Sequence, residues 1–323
     1  MLVSEKFVER KFLLNQSVEQ DNYSTRASFY FSNGSCRSKN EKERNMKTFT
    51  FAKLTAFAVS ALIAVGAQAE TTLEKIKRTG TVTVGTEAAF PPFEFVENGK
   101  IVGYGKDILD YIIADLGVEL VQLDLPWQGI LPGVLAGKFD FVATTVSVRP
   151  ERAKTYAFTV PIAEGTTWVM KRKGDDSITK VDDIAGKVVS AQLSSGGQAA
   201  AEDFEKDMQA RGVGSFGELK LFTAYPEIFM ATANGTADVA IGPLPTLAVA
   251  SKKSEGTFEL VGPIRDPSYM GWVTRPEDTD LRDYLSSVML EMRDNGKLYE
   301  SQDKWFGFKM PIPSEGYLPE GAL

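Results

Sequence analysis

Two hydrophobic periodicities alternate along most of the chain. Ile108, Ile112 and Leu116 recur at helical spacing and the pattern stops at Gly117, which predicts an amphipathic helix. The run Thr81-Val82-Thr83-Val84-Gly85 is typical of a short strand. Strands that alternate with helices in this way predict an α/β fold with parallel sheets.

The same pattern predicts the remaining elements. Prolines at 91 and 92 predict a loop, and the hairpin signal Val96-Glu97-Asn98-Gly99-Lys100 follows it. Other predicted strands begin at 118, 168 and 187, and helices are predicted over 130–135, 198–210 and 281–299. The tail after Met310 is rich in proline and glycine, which predicts either an ordered strap or a loose end.

A secretory signal lies at residues 46–69. Met46-Lys47 and Lys53 precede the apolar run Leu54–Val65, and Ala67-Gln68-Ala69 follows, with cleavage expected after Ala69. The apolar core is shorter than the ~20 residues that span a bilayer, so a cleaved signal is favoured over a membrane anchor. Residues 1–45 are polar and lack periodicity, and we expect a mis-assigned start upstream of the signal, a genuine extension being the alternative.

Composition excludes several classes of function. Without residues 1–69 the chain carries 26 basic and 37 acidic groups, and this acidic balance argues against nucleic acid or anionic membrane as partner. There is no histidine, and the one cysteine, Cys36, lies in the discarded segment. Histidine-based catalysis and thiol nucleophiles are therefore excluded from the mature chain, and we expect no metal and no cofactor.

The stretch from Lys138 to Thr159 carries the main candidate site. It predicts a short buried strand, then a loop with three hydroxyls (Thr144, Thr145, Ser147), then a helix that starts at Pro150 with Arg152 in its first turn. Hydroxyls, a guanidinium and free helix N–H groups suit a small carboxylate. The alternative is a surface arginine that caps its own helix.

A second hydroxyl-rich helix start follows at Leu193-Ser194-Ser195-Gly196-Gly197. Ordinary capping explains one of the two serines, Ser194 or Ser195. Two anion-friendly helix starts in different halves of the chain predict a ligand held between two lobes. A weak internal repeat, 135–143 against 232–240, supports two similar lobes.

Several motifs in order resemble the family 3 periplasmic solute-binding proteins, the polar-amino-acid receptors of ABC importers. The resemblance covers about 75–310. Besides the stretch through Arg152 it rests on Gly85-Thr86-Glu87-Ala88-Ala89-Phe90-Pro91-Pro92-Phe93-Glu94, Val102-Gly103-Tyr104-Gly105-Lys106-Asp107-Ile108, Trp127-Gln128-Gly129-Ile130-Leu131-Pro132 and Glu291-Met292-Arg293-Asp294-Asn295-Gly296.

The resemblance implies a two-lobed periplasmic-binding-protein fold of type II. Each lobe would be a mostly parallel sheet flanked by helices, with the ligand in the cleft and closure at a hinge. Lobe 1 would comprise 70–165 plus 265–323, and lobe 2 would comprise 166–264.

The resemblance also implies roles for residues. Arg152 would hold the ligand carboxylate with Thr145, Ser147 and the Ser195 loop. Phe90 and Trp127 would sandwich the ligand, although both also suit a plain core position, and Glu87 would contact the ligand's side chain.

One position departs from the family pattern. Pro243 stands where family members that bind α-amino acids usually place an aspartate for the α-ammonium, and proline has neither charge nor N–H. Glu87 or Glu164 would supply the missing acid, or the ligand lacks a standard α-amino group.

The function expected from the resemblance is transport, not catalysis. The chain would be a monomeric periplasmic receptor that delivers an amino acid or related carboxylate to its ABC permease in the inner membrane. A cyclohexadienyl dehydratase-like enzyme on the same scaffold is the alternative, with Glu164 or Glu87 as general acid. A sensor module is a third possibility.

Overall fold

The computed structural model describes residues 70–323, and the predictions for residues 1–69, signal and cleavage site included, lie outside this range. The described part consists of two α/β lobes, each built around a mixed sheet. Within 70–323 we find no helix whose length and apolar character suit a membrane span.

The helices and strands follow the predicted alternation. The helices are α1 (Thr72–Thr79), α2 (Tyr104–Leu116), α3 (Trp127–Leu135), α4 (Pro150–Ala153), α5 (Gly196–Ala210), α6 (Tyr225–Ala233), α7 (Leu244–Lys253), α8 (Thr279–Asp294) and α9 (Lys297–Trp305), with a 3₁₀ turn at Val181–Ile184. The strands are β1 (Thr81–Thr86), β2 (Ala89–Phe90), β3 (Glu94–Glu97), β4 (Lys100–Val102), β5 (Glu119–Asp124), β6 (Phe141–Ser147), β7 (Ala157–Phe158), β8 (Ala163–Glu164), β9 (Thr167–Arg172), β10 (Val188–Gln192), β11 (Glu218–Phe222), β12 (Val239–Pro243), β13 (Phe258–Pro263) and β14 (Tyr269–Thr274).

The first three strands of the two large sheets share one order. The first sheet runs β5-β1-β6-β14-β7, with β8 also on β14, and the second runs β11-β10-β12-β9-β13. In each sheet the first three strands are parallel and the fourth is antiparallel to them. The chain passes to the second sheet between β8 and β9 and returns between β13 and β14.

The internal repeat is visible in matching hydrogen bonds. The Asp140 carboxylate accepts from the Thr83 N–H at 2.9 Å, and the Asp238 carboxylate accepts from the Val188 N–H at 2.8 Å. Each aspartate thereby joins the start of its strand to the neighbouring strand. The repeat in the sequence reflects one helix-to-strand connection used once in each lobe.

Three apolar clusters fill the interior, and the largest extends through both lobes. In the first lobe it packs helices such as α2 and α8 on the first sheet, with Ile108, Trp272 and Met289 almost fully buried. A second cluster lies around β10 and β12. A third joins Trp127 of α3 to Ala153 of α4, directly behind the cleft between the lobes.

The predicted final helix, 281–299, is wrong in one respect. It is two helices, because α8 ends at Asp294 and the chain turns at Gly296, whose φ is 86°. Glycine takes this left-handed conformation without a Cβ clash, so it ends one helix and begins the next.

The predicted hydroxyl-rich loop is also wrong. β6 continues to Ser147, because Val146 and Ser147 pair with Gly271 and Met270 of β14. Side chains alternate across a strand, so Thr145 and Ser147 face one way and Thr144 faces the other. The predicted helix start at Pro150 is confirmed.

Candidate functional site

A cleft lies between the lobes at the carboxyl ends of their parallel strands, where open α/β sheets place ligands. The space between its lining residues measures about 300 Å³, including the part open to solvent. We call its two sides the first wall and the second wall. The first wall is Glu87, Phe90, Trp127, Thr145, Ser147, Arg152 and Met270, and the second wall is Gln192, Ser195, Gly196, Gly197, Tyr225 and Pro243.

Arg152 projects from α4 into this cleft and is only 9% exposed. Its guanidinium lies 5.2 Å from the Trp127 ring centroid, and its Nη2 donates to the Ser194 carbonyl across the cleft at 3.1 Å. Nη1 is buried and has no partner within residues 70–323. Burial, and then the nearby charge of Arg149, lower the pKa of Arg152 to about 10, so the group stays cationic at neutral pH.

Thr145 and Ser147 lie beside Arg152 on the first wall. Thr145 is 4% exposed, and its hydroxyl also lacks a partner within the described part of the chain. Ser147 meets the second wall at Gly196, where an added Cβ would lie 2.6 Å from the Ser147 hydroxyl oxygen. Glycine at 196 therefore permits the close approach of the two walls.

Ser194 and Ser195 have different roles. The Ser195 hydroxyl accepts from the N–H groups of Gly197 and Gln198 at 3.0 and 3.2 Å, so it caps α5 at the edge of the cleft. Ser194 is exposed and has a φ of 62°. It contributes its backbone carbonyl, which accepts from Trp127 Nε1 at 3.1 Å as well as from Arg152.

Glu87 is a buried acid on the first wall, 3% exposed. Its carboxyl accepts a hydrogen bond from Gln192 Nε2 on the second wall, and the same amide donates to the Thr223 carbonyl at 3.2 Å. Burial raises the pKa of Glu87 to about 8, with a further contribution from the charge of Asp124, against the opposing effect of Gln192. The carboxyl is therefore mostly protonated at neutral pH.

Phe90 and Trp127 both line the cleft, as predicted, but each is held by a different partner. Phe90 stacks on Tyr225 of the second wall with ring centroids 4.8 Å apart and an interplanar angle of 20°. Trp127 packs under Arg152. Aromatic contacts thus join the walls as well as line the space between them.

Besides Ser194, two predicted residues lie outside the cleft lining. Thr144 faces the other side of β6, where its hydroxyl donates to Glu94 at 2.7 Å inside the core. Glu164 belongs to β8, paired with Tyr269. Glu87 is thus the one carboxylate among the cleft-lining residues that the structure describes.

Three lining residues were missed: Gln192, Tyr225 and Met270. The internal repeat offers a signal for two of them. Gln192 follows Val188 by four residues just as Glu87 follows Thr83, and Tyr225 begins α6 as Trp127 begins α3.

Comparison with known proteins gives a consistent result. Residues 82–308 match the bacterial extracellular solute-binding proteins, family 3. The L-cystine-binding protein TcyJ of Escherichia coli K12 is 27% identical over 237 residues, which is 73% of this chain and 86% of that protein.

Two solved structures are similar in fold and sequence. One is an ancestral arginine-binding protein bound to arginine, 30% identical, with a TM-score of 0.64 over 71% of this chain and 99% of that one. The other is the ancestral amino acid-binding protein AncCDT-1, a precursor of cyclohexadienyl dehydratase, 26% identical, with a TM-score of 0.64 over 73% and 99%. The predicted two-lobed type II fold is confirmed.

Proposed function

This chain belongs to the bacterial extracellular solute-binding proteins, family 3, and we propose that it is an ABC importer receptor that captures an amino acid by its carboxylate. One observation carries the proposal. Arg152 Nη1 and the Thr145 hydroxyl are both buried, both unpaired within residues 70–323, and both belong to the lining of one cleft.

A ligand carboxylate completes this group of donors. No carboxylate within the described part of the chain forms an ion pair with Arg152, although the guanidinium is largely desolvated. A buried cation without a counter-ion is destabilising, and guanidinium pairs with carboxylate through two parallel hydrogen bonds. The Thr145 hydroxyl supplies a further donor.

The ligand's cationic group would be received by Glu87. The second wall offers Pro243 and Gln192, neither of which carries charge. A ligand ammonium or guanidinium beside Glu87 favours the ionised carboxylate, so binding would release a proton. Basic amino acids are therefore the first solutes to test, with glutamine and cystine as comparisons.

Capture would proceed by closure of the two lobes. We assign 70–165 plus 265–323 to lobe 1 and 166–264 to lobe 2, hinged at the two crossovers. Trp127 and Arg152 bond to Ser194 of the opposite lobe, and Glu87 bonds to Gln192 there, so we expect these bonds to form as the cleft closes. The receptor would act as a monomer in the periplasm after cleavage following Ala69, and deliver its solute to a permease.

Removal of Arg152 tests the proposal. Calorimetry with arginine, glutamine and cystine identifies a bound solute, and Arg152→Ala should weaken its binding at least a hundredfold, about the cost of truncating one partner of a buried charge pair. Arg149→Ala is the matched control, because Arg149 lies at the same helix start outside the lining. Unchanged binding by Arg152→Ala would contradict the carboxylate assignment.

A dehydratase-like enzyme is the second candidate. The protonated Glu87 carboxyl in the cleft has the character of a general acid, which is the observation that favours it. Incubation of the purified protein with prephenate or arogenate tests it. Product formation that Glu87→Gln abolishes would replace the transport proposal with catalysis.

A further inference from the structure

The last fifteen residues, 309–323, form a segment that we call the C-terminal strap. It lies beyond the family match, which ends at residue 308. It begins deep in the first lobe, where Met310 and Ile312 are buried and the Ile312 carbonyl accepts from Arg293 at 3.4 Å. Of the two outcomes expected for this tail, the ordered strap is confirmed.

The end of the strap lies on the back of the ligand-binding helix. Leu318 and Ala322 pack against the buried cluster that contains Trp127 and Ala153. The Leu323 N–H donates to the Ala153 carbonyl at 2.9 Å. Ala153 follows Arg152 directly, so the strap is hydrogen-bonded to the backbone next to Arg152.

Helix α4 depends on such outside support. It has four residues, Pro150–Ala153, and no side-chain hydrogen bond caps its start. One helical turn is not stable by itself, since nucleation fixes several dihedrals for one hydrogen bond. Yet this turn carries Arg152, whose guanidinium is largely buried although removing a charge from water costs free energy.

We propose that Leu318 and Ala322 are positioning residues for Arg152. They pack behind α4, on the side away from the cleft, and thereby orient the guanidinium toward the ligand carboxylate. This inference rests on the proposed function. Affinity for the solute then depends on a segment outside the residues that match the family.

A double-mutant cycle tests the inference. Leu318→Ala should raise the Kd about tenfold for whichever of arginine, glutamine and cystine binds, because small misplacements of a positioning group weaken binding strongly. The cycle is completed in an Arg152→Lys background, which keeps the charge and a measurable affinity but loses the planar fork. There the strap substitution should change the Kd less than twofold.

A second pair of variants isolates the backbone bond. Leu323→Pro removes the N–H that Ala153 accepts, whereas Leu323→Ala keeps it and trims a side chain that is 47% exposed. We expect a raised Kd from the proline variant alone. Equal Kd values for both would contradict the role of this bond.

Hydrogen exchange provides a readout that needs no ligand. The N–H groups of Thr155 and Tyr156 donate to the Arg152 carbonyl, and they should exchange faster in Leu318→Ala. Faster exchange in a protein that binds no carboxylate solute would refute the proposed function and leave the strap's hold on α4 standing. Unchanged exchange and Kd, or equal effects in both Arg152 backgrounds, would overturn the inference.

Discussion

The two walls of the cleft occupy equivalent positions of a repeated fold and differ in charge. Glu87 on the first wall corresponds to Gln192 on the second. Each lies four residues after the residue whose N–H donates to the equivalent aspartate, Thr83 to Asp140 and Val188 to Asp238. Thr145 and Pro243 likewise each lie five residues after Asp140 and Asp238. Equivalent backbone positions in the two lobes therefore hold side chains of different charge and hydrogen-bonding capacity.

The contacts between the walls follow the repeat, whereas the charges do not. Trp127 begins its helix and donates to the Ser194 carbonyl of the other lobe, and Tyr225 begins the equivalent helix and stacks on Phe90 of β2 in the first lobe. Arg152 has no charged counterpart among the described residues that line the second wall. Contacts from both lobes therefore hold the walls together, while we expect discrimination between charged solutes to depend on the first wall.

The largest effect expected from this difference between the walls is a dependence of solute affinity on pH, caused by Glu87. A solute whose cation sits beside Glu87 must displace its proton, so affinity should rise close to tenfold per pH unit up to about pH 8 and then level off. Calorimetry from pH 6 to 8.5 in buffers of different ionisation enthalpy measures both the Kd and the proton released. Glu87→Gln should remove the pH dependence and the release.

The groups around Glu87 account for its raised pKa, from which the increase of affinity with pH follows. Asp124 repels a negative charge on Glu87. Burial raises the pKa of Glu94 and of Tyr225, and the charge of Glu87 adds to the effect. Gln192 is the neutral donor facing it. Arg152 shares the cleft lining but belongs to a different element, α4, and is not among the groups that shift this pKa. Binding of a basic solute that is independent of pH would place its cation elsewhere.

Stability without solute should change in the opposite direction. The pKa of Glu87 is higher in the folded protein than in the unfolded chain, so the folded state binds the extra proton between about pH 4.5 and 8. This contribution is complete below that window and is lost as the pH rises through it. Thermal unfolding across the window should therefore show a decline in Tm that Glu87→Gln reduces. The matched variant Gln192→Ala keeps the acid and should retain the decline.

The sequence predicted the fold well because periodicity and turn residues are local signals. Gly117, for example, ends α2 as its pattern indicated. The break at Gly296 was missed because helical spacing continues on both sides of it. The pairing of β6 with β14 determines which side of the sheet Thr144 and Thr145 face. The residues of β6 alone give no signal for that pairing, because β14 lies more than 120 residues further along the chain.

The candidate site was predicted only in part for a related reason. Motifs identified Arg152, Thr145 and Glu87 within one lobe. Gln192 and Tyr225 were missed because contact across a cleft depends on how two lobes are oriented. The repeat contained their positions, yet only 135–143 and 232–240 were similar enough in sequence to be noticed.

A smaller effect is expected from placing an acid on the second wall with Pro243→Asp. Pro243 precedes α7 with a φ of −63° and a ψ of 137°, a conformation that suits an aspartate N-cap. If the ligand's α-ammonium lies within reach of this wall, the new carboxylate should tighten binding of α-amino acids about tenfold, the effect of one favourable charge pair. Binding of carboxylates without an amino group should not improve.

Pro243→Asn is the matched control, because asparagine caps a helix as well as aspartate and restores the same N–H without the charge. The ratio of the two Kd values, measured by calorimetry with one α-amino acid and its deaminated analogue, isolates the charge. Tighter binding by the aspartate variant alone means that the ammonium lies within reach of both walls. In the natural protein Glu87 would then be the acid that contacts it. Equal binding by the two variants would confine the cation to the first wall, so that the second wall contributes shape and hydrogen bonds but no ionic contact.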